Sequence, residues 1–178
     1  MNKLSNTKTL TIAAMLTAIG IVLGLYKLPI SQLIEIRFSS LPLSVAGMML
    51  GPWIAGVVGA LIDIGGFLVY PTGAFFPGFT LSAVLSGIVF GIMLHDKKIT
   101  IARVFITELI ITVFINLLLN SFWLDLMYFS VDGHVTIQSY FAAISTRFPK
   151  EAIMLFVNTA MLYALLKAFK SIKIGARA

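Results

Sequence analysis

The sequence predicts an all-α integral membrane protein, a compact bundle of six transmembrane helices with both termini in the cytoplasm. Of its 178 residues 59% are hydrophobic and only 11% are charged, and the mean hydropathy is +1.01. A soluble domain of about 150 residues buries only about 70% of its surface, which is too little for this apolar content, so a soluble enzyme is excluded. A β-barrel needs alternating polar and apolar residues, which continuous runs such as residues 106–119 lack.

Apolar blocks justify the six helices in order, because a helix needs about 20 apolar residues to cross the hydrocarbon core. The blocks cover residues 7–26, 39–50, 53–69, 79–94, 101–127 and 152–169. No small-residue cleavage site follows the first block, so we expect a retained helix there rather than a signal peptide. The short second block is separated from the third only by Gly51 and Pro52, and a re-entrant hairpin is the alternative for this pair. We assign residues 1–178 to a single domain.

Basic residues set the predicted orientation, because cytoplasmic loops of membrane proteins are enriched in lysine and arginine. With six crossings and the N-terminus inside, 9 of the 13 basic residues fall on the cytoplasmic side. The remaining 4 lie outside and are Lys27, Arg37, Arg147 and Lys150. This outer group requires a separate explanation.

Several chemistries lack the residues that they need. The chain has no cysteine, which excludes disulfides, thiolate metal sites and thiol nucleophiles. No Gly-x-x-x-x-Gly-Lys-Ser/Thr motif is present, so ATP hydrolysis on this chain is excluded. The two histidines fall in loops on opposite sides and the seven acidic residues are scattered, so no metal site is expected. Basic residues flank apolar blocks instead of sharing a polar face, so we expect a lipid bilayer and no nucleic acid as partner.

Small residues four apart predict close contacts between membrane helices. The first helix carries two such pairs, Ala14 with Ala18 and Gly20 with Gly24, which point about 120° apart at roughly 100° per residue. A small bundle needs only one inward face on this helix, so one pair is available to a partner. The alternative is that both pairs pack within the bundle.

Polar and aromatic side chains recur at helical spacing on three blocks. They are Asp63, Phe67 and Tyr70 on the third, Thr112, Asn116, Asn120 and Trp123 on the fifth, and Arg147, Glu151, Met154 and Asn158 on the sixth. Buried polar groups in a membrane tend to face a cavity or a partner, and the outer ends of these stripes predict a pocket open to the outside. Alternatively, Asn116 and Asn120 join helices, and Asp63 bonds at a helix crossing. Glu108 is expected near the cytoplasmic end of its helix, close to Arg103, as an interfacial or ion-paired group.

The loop at residues 70–79 has the most unusual composition in the chain. Two prolines and two glycines give it a non-helical path, and four aromatic residues offer flat apolar faces to a planar ligand. We interpret it as a lid over the pocket, with an interfacial aromatic belt as the alternative. The outer loop at residues 27–37 is long enough to fold over the same opening.

Four segments carry a resemblance to a known family. They are Arg37-Phe-Ser-Ser-Leu-Pro-Leu43, Gly59-Ala-Leu-Ile-Asp-Ile-Gly-Gly-Phe67, Tyr70-Pro-Thr-Gly-Ala-Phe-Phe-Pro-Gly-Phe-Thr-Leu-Ser82 and Asn120-Ser-Phe-Trp123. With the six-helix layout, they resemble the substrate-binding S components of energy-coupling factor (ECF) vitamin transporters, most closely the folate-specific ones. Ser121 stands where the family pattern has threonine, which keeps the hydroxyl.

The resemblance implies a bacterial cytoplasmic-membrane protein that binds folate and is not an enzyme. It implies docking with a transmembrane coupling subunit and two cytoplasmic ATPases, with Ala14 and Ala18 as the coupling face. Folate is then the transported ligand, and no cofactor is expected. An S component for riboflavin, pantothenate or a queuosine precursor is the nearest alternative, and a non-transport membrane protein is the other.

Folate chemistry suits the candidate residues. The flat pterin needs stacking and paired hydrogen bonds, for which the candidates are Asp63, Phe67, Phe76, Asn116, Asn120 and Trp123. The matching loop adds Tyr70, Thr72 and Phe79 as substrate-binding residues by resemblance. The glutamate tail carries two carboxylates, which Arg37, Arg147 and Lys150 neutralise through charge-assisted bonds. The basic residues outside thereby gain a use.

Overall fold

The computed structural model describes residues 7–25, 27–31, 34–71, 75–129 and 137–175. In these ranges the chain forms six helices, which agrees with the predicted helical bundle. They are α1 (Thr7–Leu25), α2 (Ser40–Leu50), α3 (Pro52–Val69), α4 (Pro77–Leu94), α5 (Ile101 to Phe129, in four consecutive segments) and α6 (Ile137–Gly175). By length and composition, five are able to cross a membrane, all but α2.

Helix α2 is short and buried. Its 11 residues rise about 16 Å at 1.5 Å per residue, roughly half of the 30 Å hydrocarbon core. Seven of its residues are buried, and it packs against α1, α3, α4 and α6. The short second helix expected from the sequence is therefore present as a core element.

Prolines and one glycine set the boundaries of α2, α3 and α4. Pro52 and Pro77 occupy the first positions of α3 and α4, where the missing N–H costs no helical hydrogen bond. Gly51 joins α2 to α3 with φ at 88°, a left-handed backbone that glycine adopts without a Cβ clash. Consequently α3 reverses direction immediately after α2.

A short antiparallel hairpin follows α1. Strands β1 (Lys27–Ser31) and β2 (Ile34–Arg37) pair with Lys27 opposite Arg37, and the register shifts between Pro29 and Ser31. The sequence predicted only a loop at residues 27–37. The hairpin places Arg37 just before α2.

Helix α5 changes its winding along its length. Ile101–Ile110 and Asn120–Leu124 are α-helical, whereas Ile111–Leu119 and Asp125–Phe129 are π-helical. At the end of the first π segment, the N–H of Asn120 donates to the carbonyl of Ile115, which is the i→i+5 pattern of a π-helix. The single stripe predicted from Thr112 to Trp123 assumed 3.6 residues per turn, whereas Ile111–Leu119 has the wider π-helical winding.

Helix α6 begins much earlier than the predicted residue 152. It starts at Ile137 and continues through Pro149 to Gly175. Proline lacks an N–H and usually ends or kinks a helix, but Pro149 lies within this one. Arg147 and Lys150 therefore lie on a helix and not in a loop.

The closest packing in the bundle is between α3 and α4. A Cβ added to Gly87 would collide with the carbonyl oxygen of Ala55, and one added to Gly59 would collide with that of Ala83. Such glycines let the two backbones approach closely. Close packing matters in a membrane because the hydrophobic effect does not drive helices together in lipid. This pair forms a rigid wall that carries the residues at the α3–α4 end of the candidate site.

Candidate functional site

Aromatic rings cluster where the start of α4 meets α5. The Phe76 ring lies 5.7 Å from that of Trp123, with 51° between their planes, and 6.0 Å from that of Phe79. Phe122 contacts the edge of Trp123 at 5.2 Å. Offset or edge-to-face rings at these distances attract one another. The structure thus brings together three of the predicted aromatic residues, Phe76, Phe79 and Trp123.

The indole of Trp123 is also fixed by a hydrogen bond across two helices. Its Nε1–H donates to Oγ of Ser82 on α4 over 3.2 Å. Ser82 is buried, and sequence reasoning missed its role. The available signal was that Ser82 lies four residues after Gly78 and therefore on the same face of α4. A sequence does not show which helix packs against that face.

Asn116 and Asn120 lie next to each other on α5. The Nδ2 of Asn120 donates to Oδ1 of Asn116 over 3.5 Å, a long and therefore weak bond. The Oδ1 of Asn120 is buried and accepts no hydrogen bond from the residues that the structure describes. A buried acceptor left in this state costs about 1–3 kcal/mol, so this oxygen is suited to accept from a ligand.

Asp63 is bound by its neighbour on α4. The hydroxyl of Thr80 donates to Oδ2 of Asp63 over 2.7 Å, a short charge-assisted contact. This bond joins α3 to α4 at a helix crossing, which was the alternative for Asp63. Thr80 was not predicted as a partner.

Arg147 is held between two helices. Its Nη1 donates to Oγ of Ser121 over 3.3 Å, and its Nη2 lies 3.8 Å from Oε1 of Glu151. Ser121 is fully buried and follows Asn120 directly. The guanidinium is thereby held against Ser121, the residue that follows Asn120. Lys150 is a half-buried residue of the same helix, α6.

The other predicted site residues lie around this cluster or outside the described part of the chain. Phe67 pairs with Phe75 at 5.2 Å, and Tyr70 is 65% exposed at the end of α3. The backbone of Arg37 lies in β2. Thr72 lies outside the described residues, so the predicted lid over residues 70–79 is described only at its two ends.

Glu108 departs from its predicted place. It is only 2% exposed and accepts a hydrogen bond from Asn158 on α6, with Glu151 nearby. Its Oε1 accepts none from the described residues. Arg103 donates instead to the carbonyl of Lys98 over 3.1 Å. The expected ion pair at the membrane edge is therefore wrong, because the α5–α6 interface encloses the carboxyl group.

The two faces of α1 separate as the small-residue pairs predicted. Gly20 is buried, and a Cβ there would collide with the side chain of Ile62. Ala14 and Ala18 are exposed. The glycine face packs on α3, and the alanine face is left on the surface of the bundle.

An apolar cavity of about 430 Å³ adjoins the aromatic cluster between α5 and α6. It is lined by Phe114, Leu118, Leu119, Phe122, Ile137 and Tyr140. Phe122 has one side in this cavity and the other against Trp123. Space for apolar groups thus lies beside the polar and aromatic site.

A family model described as "ECF transporter, substrate-specific component" matches residues 8–166. The chain is 36% identical over 144 residues to a folate transporter FolT of Clostridium novyi (strain NT). The aligned region covers 81% of this chain and 79% of that protein. It is 28% identical over 163 residues to a folate transporter FolT of Leuconostoc mesenteroides, covering 90% and 85% of the two chains.

A solved structure has the same fold. It is described as FolT bound with folic acid, and it matches with a TM-score of 0.77 and 32% sequence identity. The match covers 90% of this chain and 93% of that chain. The likeness therefore spans the helices that carry the aromatic cluster, the asparagine pair and Arg147.

Proposed function

Because the chain belongs to the family of ECF transporter substrate-specific components, we propose that it binds folate within the membrane for ATP-driven uptake. It is a multi-pass membrane protein that captures a substrate, not an enzyme. The observation that carries folate as the ligand is the tilted aromatic contact of Phe76 with Trp123, together with the Oδ1 of Asn120, which has no partner among the described residues. A planar heterocycle with N–H donors on its edge satisfies both features at once.

The pterin ring would lie against the aromatic cluster with its edge toward α5. Trp123, Phe76 and Phe79 supply apolar faces, Phe67 and Tyr70 add aromatic rings from the end of α3, and Thr72 is a further binding residue by resemblance. Asn120 Oδ1 accepts from the amino-pyrimidine edge, and Asn116 completes the amide pair. The second carboxylate oxygen of Asp63 adds an acceptor while Thr80 holds the first. Each role matches a group of folate to a side chain of complementary chemistry.

The glutamate tail of folate would be bound by the basic residues at the same end of the bundle. Arg147 already presents two guanidinium nitrogens to Ser121 and Glu151, a geometry that also fits a ligand carboxylate. Lys150 and Arg37 add positive charge from α6 and from the hairpin. The basic side chains Arg37, Arg147 and Lys150 thus favour an anionic vitamin over a neutral one.

Uptake needs energy from other subunits, because the sequence has no phosphate-binding loop. We propose that the exposed alanines Ala14 and Ala18 dock a transmembrane coupling subunit, which carries two cytoplasmic ATPases. Small residues on an exposed helix face allow a partner helix to approach closely. The alternating direction of the helices and the basic residues at one end favour cytoplasmic termini in a bacterial cytoplasmic membrane, with residues 1–178 as one binding unit.

The deciding experiment identifies the small molecule that co-purifies with the detergent-solubilised protein after growth in folate-containing medium. Mass and absorbance should reveal about one folate per chain, and added folate should rebind after its removal. Riboflavin and pantothenate serve as matched competitors. A stoichiometric flavin would replace folate with another vitamin, and a protein that is empty and ignores added folate would refute the proposal.

A further inference from the structure

We infer that Gly78 and Ser82 of α4 form a seat for the indole of Trp123 and act as positioning residues for ligand stacking. The inference rests on the proposed function, since it concerns the ring that stacks on folate. The two residues are four apart and therefore lie on the same face of α4, one turn above the other. One provides space for the ring, and the other provides a hydrogen-bond acceptor.

Gly78 provides the space. A Cβ at this position would lie 2.5 Å from Cδ2 of Trp123 and 2.5 Å from Cε1 of Phe76. Carbon atoms in contact are normally about 3.5–4.0 Å apart, so any side chain here would displace both rings. Glycine thus allows the indole and Phe76 to meet against the first turn of α4.

Ser82 provides the acceptor. Indole has a single hydrogen-bond donor, and Ser82 Oγ lies 3.2 Å from it in a site that is only 4% exposed. Because the donor is on one edge of the ring, the bond distinguishes the observed orientation from one rotated by half a turn. The hydroxyl therefore determines which part of the indole faces α4.

The aromatic neighbours complete the constraint. Phe76 and Phe122 contact the indole at 5.7 Å and 5.2 Å, tilted by 51° and 65°. Trp123 is nonetheless only partly buried, so some of the ring is available to a ligand. A ring fixed before the ligand arrives loses little conformational freedom on binding, which favours affinity. Ser82 thus affects folate through Trp123 and without touching the ligand.

The experiment uses the full chain with Trp53→Phe, because Trp53 is the other tryptophan and is 80% exposed at the far end of α3. Fluorescence then comes from Trp123 alone. Ser82→Ala should lower the anisotropy of Trp123 emission without ligand and weaken folate binding about two- to tenfold, the effect of one buried hydrogen bond. Ser82→Thr, which keeps the hydroxyl, should recover both values.

Ser86→Ala is the matched control, since Ser86 lies one turn further along α4 and bonds only to the carbonyl of Ser82; it should change neither reading. In a Trp123→Phe background, Ser82→Ala should have no further effect on affinity. Unchanged anisotropy in Ser82→Ala, or independent effects of the two substitutions, would overturn the inference. A parent protein that does not bind folate would instead overturn the proposed function, while anisotropy without ligand would still decide the positioning.

Discussion

Replacing Asn120 with leucine should make the empty protein more stable while it weakens folate binding. Leucine has nearly the same shape but no acceptor, so the substitution removes the buried Oδ1 that lacks a partner among the described residues. That relief is worth about 1–3 kcal/mol. The lost bond to Asn116 is long at 3.5 Å and offsets only about 0.5 kcal/mol of it. A net gain of about 0.5–2.5 kcal/mol corresponds to a rise in Tm of about 1–10 °C for a chain of this size.

The affinity for folate should fall in the same variant. Without Asn120 Oδ1, a donor on the pterin edge enters the site and finds no acceptor, which costs about 1–3 kcal/mol or about a five- to 150-fold increase in Kd. Isothermal titration in detergent measures the Kd, and a thermal unfolding scan of the ligand-free protein measures the Tm. The pairing of higher stability with lower affinity distinguishes a ligand-binding amide from a structural one.

The control is the same substitution at Asn158, an amide whose partner belongs to the protein. Asn158 donates to the buried carboxyl of Glu108, so Asn158→Leu should lower the Tm and leave the folate Kd unchanged. If Asn120→Leu lowers the Tm as Asn158→Leu does, Asn120 joins helices. An unaltered Kd would likewise refute its role in the site.

Two further predictions concern coupling and the α3–α4 wall. The double substitution Ala14→Leu and Ala18→Leu should leave folate binding intact, because both alanines are exposed, but should abolish ATP-dependent uptake by the assembled transporter. The control Ala164→Leu, at an exposed alanine of α6, should preserve uptake. Continued transport by the α1 variant would disprove the docking face. Thr80→Val removes the 2.7 Å bond to Asp63 and should cost about 1.5–3 kcal/mol of stability, as expected for a hydrogen bond to a charged group. Chemical denaturation measures this loss, and an unaltered midpoint would contradict a structural bond at that crossing.

Much of the fold was predictable from local features of the sequence. Continuous apolar residues located the helices, and Pro52 and Pro77 marked where two of them begin. The start of α6 was misplaced because the predicted block covered only the apolar run at residues 152–169, whereas the helix begins at Ile137 and passes through Pro149. The π-helical winding of Ile111–Leu119 has no marker in its composition, which is a continuous apolar run like that of the other helices.

The site was predictable in its residue types more than in its pairings. The aromatic loop and the two asparagines were visible as unusual residues in apolar surroundings. Their partners Ser82, Thr80 and Ser121 are small hydroxyl residues that look ordinary in any helix. Only the register between helices shows which hydroxyl meets which side chain, and a single sequence does not encode that register in its periodicity.

The π-helical segment of α5 makes the binding chemistry sensitive to chain length. Asn120, Ser121 and Trp123 all follow Ile111–Leu119, and each contacts a different neighbour. Deleting one residue within that segment would change its length and its winding together, and would rotate the residues beyond it relative to those before it. The amide, the hydroxyl and the indole would then turn together from their present partners without any change in their identity. An insertion or deletion of one residue here would alter which ligands the protein accepts more sharply than most substitutions of the side chains that bind them.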